Sequence, residues 1–151
     1  MLNLNITELL DASKIAGFSD IDQSEITIKE GHTPEPLKEK YGAVYIFRMK
    51  DESLFKNSLG DFLKVGKVSS PKSNPRYTYQ HYKASANGST LAKSLVNDPK
   101  INVKESDVKN WILENTERYN LIIPNRTRNF IHFAEAFYIL KLQPRFEKIN
   151  A

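Results

Sequence analysis

Residues 42–49, GAVYIFRM, set the first constraint on what this chain can become. Ala43 through Phe47 are apolar without interruption, and a β-branched and aromatic run of that length predicts a buried strand. A second run, FLKVGKV at 62–68, follows the polar loop 51–61, so the two are expected to pair as a hairpin. Beyond the loop SSPKSNP, RYTYQHYKAS reads as a helix opened by Pro75. Ser89 or Thr90 is expected to cap a short helix through LAKSLV. Ser106 is expected to cap another over SDVKNWILENTERY, with Val108, Trp111 and Ile112 on one side and Trp111 in the core. NLIIP predicts a third strand closed by Pro124. The longest helix should run from about Arg128 to Leu142 and stop before Pro144. The expected fold is a small α/β (α+β) domain over 41–151, with a largely antiparallel three-stranded sheet flanked by helices.

The first 40 residues have a different character. A helix is expected from about Thr7 to Ala16, then a short strand at ITIKE running into a proline-punctuated connector. This segment carries eight acids against four lysines and reads as an acidic extension packed on the body. Residues 41–151 carry eighteen Lys and Arg against ten acids. Between Asp61 and Asp98 there is no acid at all, while Lys64, Lys67, Lys72, Arg76, Lys83 and Lys93 lie inside. Such a body suits a polyanion, because each neutralised phosphate releases counterions; a merely solvated basic face is the alternative. At 151 residues the chain fits one domain. It has no cysteine, which excludes disulfides and thiolate chemistry, and its three histidines are too scattered to suggest a histidine metal site. No apolar run reaches the length of a membrane span and no leader pattern opens the chain, so a soluble, cytoplasmic protein with no membrane partner is expected.

Glu135 is the most informative single residue, because FIHFAEAFYIL is otherwise almost wholly apolar and an unpaired carboxylate there is costly. Two readings stand open. Glu135 shares helical spacing with Arg128, His132 and Ile139 and so fits a solvated stripe; or it lies at the mouth of a basic cleft and holds one hard cation, since Mg²⁺ takes only one or two carboxylates. The second suits phosphodiester hydrolysis, which needs a metal on the phosphate, a cation for the developing charge and a positioned water. Tyr45, Lys64, Lys67, Arg76 and Glu135 could meet at one face. Each also has a plain structural reading: Tyr45 as a packed core ring, Lys64 as a solvent-facing strand residue, Arg76 as a surface ion-pairing residue. Tyr77 and Tyr82 suit either base stacking or core packing.

The same residues resemble a family. AVYIF, then LKVGK, an Arg about ten residues on, and a helical Glu before LQPRFE are similar to the ordered motifs of the GIY-YIG nuclease domain, over residues 41 to about 148. Ala43-Val44-Tyr45 keeps the first tyrosine; in Lys64-Val65-Gly66 lysine replaces the second, as in some restriction-type members. Glu147 stands where the pattern often has Asn. His81, five residues after Arg76, would turn away from it on a regular helix, whereas Tyr79 would share its face. The resemblance implies a DNA endonuclease, with RNA not excluded, using one Mg²⁺ or Mn²⁺ held by Glu135. Arg76 would stabilise the phosphate, Tyr45 would position or deprotonate the water, His81 would assist if the helix starts later, and Lys64, Lys67, Lys72, Tyr79, Lys83 and Lys93 would contact the nucleic acid. A dimer would allow double-strand cutting. A catalytically silent nucleic-acid-binding module on the same fold is the competing reading, and a protein-interaction domain with an incidental basic patch the third.

Overall fold

The computed structural model describes residues 4–18, 21–50, 62–88, 90–124 and 128–147. The loop expected at 51–61 and the alternative cap Ser89 lie outside these residues. Four strands, β1 (Thr27–Glu30), β2 (Tyr41–Met49), β3 (Phe62–Val68) and β4 (Thr116–Pro124), form one antiparallel sheet in the order β1-β4-β2-β3. The expected hairpin of β2 and β3 is present. The expected count of three strands is corrected to four, because the ITIKE segment adds to the edge of β4, from Thr27 opposite Ile122 to Glu30 opposite Tyr119.

The strict side-chain alternation of β2 divides the molecule into two layers. Val44 and Ile46 face a wholly apolar cluster made with Leu121 and Ile123 of β4 and two helices. These are α1 (Ile6–Ile15) and α5 (Arg128–Leu142), which contribute Leu9, Leu10, Phe130, Ile131 and Tyr138. The α1 cap is Asn5, whose side chain accepts from the Glu8 amide, two residues before the expected Thr7. Ala43, Tyr45, Phe47 and Met49 face the other layer. There lie α2 (Asn74–Thr78), α3 (Leu91–Val96) and α4 (Val108–Asn115), with Trp111 half-buried against the cluster.

Two expected helices are shorter than their sequence patterns. The one over RYTYQHYKAS stops at Thr78 and resumes as a single 3₁₀ turn, Gln80–Tyr82, after Tyr79 leaves the helical region at φ −141°. Tertiary hydrogen bonds account for the break: His81 is held by β2 and α3, and the Tyr82 hydroxyl by the His32 carbonyl. The helix opened by Asp107 ends at Asn115, and TERY joins β4 instead, since Arg118 is drawn into the sheet's interior. Thr90 caps α3 as expected, accepting from the Lys93 amide.

Candidate active site

Tyr45 is the centre of the site, and glycine makes its position possible. In the β2–β3 pairing it stands directly opposite Gly66, and its ring lies across the space a side chain there would fill. Any Cβ at position 66 would run into the phenol, so the last residue of Lys64-Val65-Gly66 is a steric requirement of the tyrosine in the partner strand. The ring is 1 % exposed.

The broken helix delivers His81 to this phenol. His81 Nε2 lies 2.5 Å from Tyr45 Oη, and the Leu91 amide, the first of α3, points at His81 Nδ1 from 3.2 Å. A backbone amide can only donate, so Nδ1 carries the lone pair and the ring proton sits on Nε2. His81 is therefore a neutral donor to Tyr45 Oη. Burial, with the charges of Lys64, Arg76 and Arg118 around it, depresses its pKa to about 2, so it stays neutral at any ordinary pH. Because Nε2–H occupies one lone pair of the phenol oxygen, the Tyr45 proton points away from His81.

Behind Tyr45 lies Arg118, a residue that drew no attention in the sequence. It is wholly buried, and among the described residues no carboxylate pairs with it. Its guanidinium donates to Asn120 Oδ1 at 2.7 Å, to the Tyr77 carbonyl at 2.5 Å and to Tyr82 Oη at 3.3 Å. It also sits 5.0–5.1 Å from the ring centroids of Tyr45, Phe47 and Tyr77. A buried cation without a counter-ion is costly to desolvate, and this one is offset by ring faces and neutral acceptors. Burial pushes the Tyr45 phenol up to about 12, against the opposing pull of Arg76, by charge and hydrogen bond, and of Arg118.

The remaining expected groups collect around β3. Lys64 is buried, not solvent-facing, and its Nζ meets Glu147 Oε1 at 2.6 Å. That contact explains what LQPRFE does: the Arg145 and Phe146 amides bond the Phe62 and Leu63 carbonyls, laying the segment along β3 and bringing Glu147 to the site. Lys67, on the opposite side of β3, lies 4.0 Å from Glu135 Oε1. Burial raises the Glu135 pKa, Lys67 opposes that and Glu147 adds to it. Glu135 is thus a half-buried carboxylate under-compensated by its neighbours, the electrostatic condition a cation would relieve. Among the described residues no three acidic or histidine side chains cluster as a ready metal cage. Glu135, with Glu147 beside it, would suit an ion that takes one or two carboxylates and completes its shell with water and phosphate.

The expected nucleic-acid contacts divide. Lys72 is exposed, and Lys83 lies 4.9 Å over the exposed Tyr79 ring, a cation–aromatic pair at the surface. Tyr77 and Tyr82 are buried and pack in the core. Lys93 instead donates to the Ala86 and Gly88 carbonyls and holds its own loop. Among the described residues no helix is long and apolar enough to cross a membrane. Compared with protein-family models, curated proteins and solved structures, the chain matches none.

Proposed function

We propose that the chain is a divalent-metal-dependent endonuclease of GIY-YIG type that hydrolyses phosphodiester bonds in DNA. The supporting observation is that Tyr45, Lys64, Lys67, Arg76, His81 and Glu135, drawn from β2, β3, α2, the 3₁₀ turn and α5, surround the β2–β3 pair. Arg76 acts electrostatically on both Tyr45 and Glu135, so a phosphate placed between them would lie within the same positive field. Glu135, with Glu147 beside it, would hold the cation. A bound Mg²⁺ or Mn²⁺ would neutralise charge on the phosphate and the leaving oxygen.

Tyr45 is a phenol at neutral pH and its proton is turned away from His81. In the resting site it is a donor that orients a water or a phosphate oxygen. It becomes a base only once ionised, a state that the His81 Nε2–H bond and the Arg76 and Arg118 charges favour and burial opposes. Lys67 and the exposed pair Lys83 and Tyr79 would hold the backbone and an exposed base.

One observation favours the silent-binder reading: Lys64 is closed in an ion pair with Glu147, so the lysine in place of the second tyrosine is engaged before any substrate arrives. Plasmid and oligonucleotide cleavage with Mg²⁺ or Mn²⁺, against an EDTA control, separates the two. Wild-type protein should cut and Glu135→Ala should reduce cutting to background while DNA binding is kept or slightly tightened. Wild-type protein that binds DNA and cuts nothing in either metal leaves the binding module.

A further inference from the structure

A cavity of about 400 Å³ lies on the α2–α4 side of the sheet, past Tyr45 toward β1. Thr27 and Lys29 of β1 and Asn120 and Ile122 of β4 form its floor, and residues 33–38 cross over it. That crossing is fastened at both ends. His32 bonds Tyr82 Oη through Nδ1 at 2.9 Å and the Thr116 carbonyl through Nε2 at 2.7 Å. The Leu37 amide donates to Asn74 Oδ1 at 2.7 Å, and Asn74 Nδ2 returns a bond to the Leu37 carbonyl at 3.2 Å. Two prolines, Pro34 and Pro36, stiffen the span between the fastenings. A strap pinned at both ends over a space of this size is a preformed pocket, not a collapsed crevice.

Two of its polar side chains are buried, Asn120 and Tyr77. Asn120 gives both amide protons to the Lys29 and Gly31 carbonyls and accepts from Arg118. Tyr77 is fully buried, and among the described residues its hydroxyl has no hydrogen-bond partner. Tyr77 lines the cavity from α2, whose first residue, Asn74, fastens the strap at Leu37. An unpaired buried hydroxyl costs stability, and a ligand that accepts its hydrogen bond recovers the loss. Burial raises the Tyr77 pKa, which keeps the group a donor, and the Arg118 charge 5.1 Å from its ring favours an electron-rich partner.

We propose that this cavity holds a single nucleobase, seated against the Tyr41 and Tyr77 rings with a ring nitrogen or carbonyl oxygen accepting from Tyr77 Oη. The walls suit a flat heteroaromatic ligand: Tyr41, 38 % exposed, stands at the mouth, and Leu37 and Ile122 supply apolar contact. The rim carries Lys29 and Lys38 beside Glu30 and Glu35, a balanced set that suits base edges with both donors and acceptors and gives a bare phosphate no net pull. The base could arrive on a free nucleotide or as an unpaired base of a nucleic acid. Neither route requires the chain to cleave anything.

The test is an NMR titration of the wild-type chain with each of the four deoxynucleoside 5′-monophosphates, with deoxyribose 5-phosphate as the base-free control. Saturable shifts at Leu37, Ile122 and Tyr77 are expected for at least one nucleotide and not for the control. Tyr77→Phe should weaken that binding about tenfold and raise the Tm of the free protein, a pairing that a purely structural tyrosine would not give. Oligonucleotides with one unpaired base, against the same strand abasic there, separate the sources. Preference for the base-bearing strand assigns the pocket to an unpaired base, and binding of mononucleotides alone assigns it to a free nucleotide. Nucleotides that bind no better than deoxyribose 5-phosphate, or equally well to Tyr77→Phe, would overturn the proposal whatever the outcome of any cleavage assay.

Discussion

Val44 and Ile46 of β2 meet leucine, isoleucine and phenylalanine from α1 and α5, while Tyr45 and Phe47, one residue along in each case, meet a guanidinium and an imidazole. Of the buried polar or charged side chains among the described residues, Lys64, His81, Thr90, Thr116, Arg118 and Asn120 belong to the α2–α4 side, and only Ser13 to the other. The α1/α5 face is held mainly by apolar burial, with the Tyr138 hydroxyl donating to the Leu4 carbonyl and Lys141 paired to Glu8. The opposite face contains Arg118, a charge with no opposite charge beside it among the described residues, and a phenol held between His81 and a strand glycine, arrangements that cost folding free energy. One sheet thus has a mainly apolar face and a face that gathers buried polar groups. Glu135 is the link between them, carried by α5 but set beside Lys67 at β3.

The sharpest way to break this contrast is Phe130→Ala on the apolar face. It should cost about 3–5 kcal/mol in denaturant unfolding and leave the rate of the remaining folded protein unchanged, since Phe130 packs edge-on to Phe18 in the apolar cluster. A comparable loss of rate per folded molecule would show that the two faces are not separable. Gly66→Ala comes next. The added methyl must displace the Tyr45 ring, so unfolding should lose about 1–3 kcal/mol, with cleavage falling further than Phe130→Ala brings it. An undisturbed Tyr45 would mean that Gly66 is opposite the phenol by coincidence.

The smallest effect is a gain. The folded state raises the Glu135 pKa, so it holds that proton more tightly than the unfolded chain does. Stability contributed by this group therefore falls as pH rises from the ordinary carboxylate range through the raised value, and stays reduced above it. Glu135→Gln should raise the Tm by about 1–3 °C at pH 8 and by nothing near pH 4, where the carboxyl is already protonated. A variant less stable than wild type at pH 8 would show that Glu135 is paired more strongly than the 4.0 Å contact with Lys67 implies.

Those features that follow from local periodicity were legible before any coordinates. The apolar runs gave β2 and β3, and the spacing of Phe130, Ile131, Ala134 and Tyr138 gave α5, from Arg128 to Leu142 as expected. The ordered motifs name Tyr45, Arg76 and Glu135 together, and the structure puts Arg76 within electrostatic reach of both others. What could not be read depends on partners distant in the chain. TERY has the polarity of a helix end, and only the aromatic box of Tyr45, Phe47 and Tyr77 makes Arg118 an interior strand residue. The break at Tyr79 is equally silent in sequence, because it is set by hydrogen bonds from β2, α3 and His32. That break is what turns His81 toward Tyr45, against the expectation from regular helical geometry. The fourth strand was visible as ITIKE, but its attachment to β4 was not, since an exposed four-residue strand carries no signal of its neighbour.

The central claim is that the hydroxyl of Tyr45, and not merely its ring, is what the polar face is built around. Tyr45→Phe keeps the ring over Gly66 and removes only the oxygen that His81 holds. Single-turnover cleavage at saturating enzyme, with DNA binding and a melting curve on the same preparations, measures that oxygen directly. The account predicts a rate lower by about 10²- to 10⁴-fold, unchanged DNA affinity and a stability loss of about 1 kcal/mol. A Tyr45→Phe protein that cuts at the wild-type rate would contradict it.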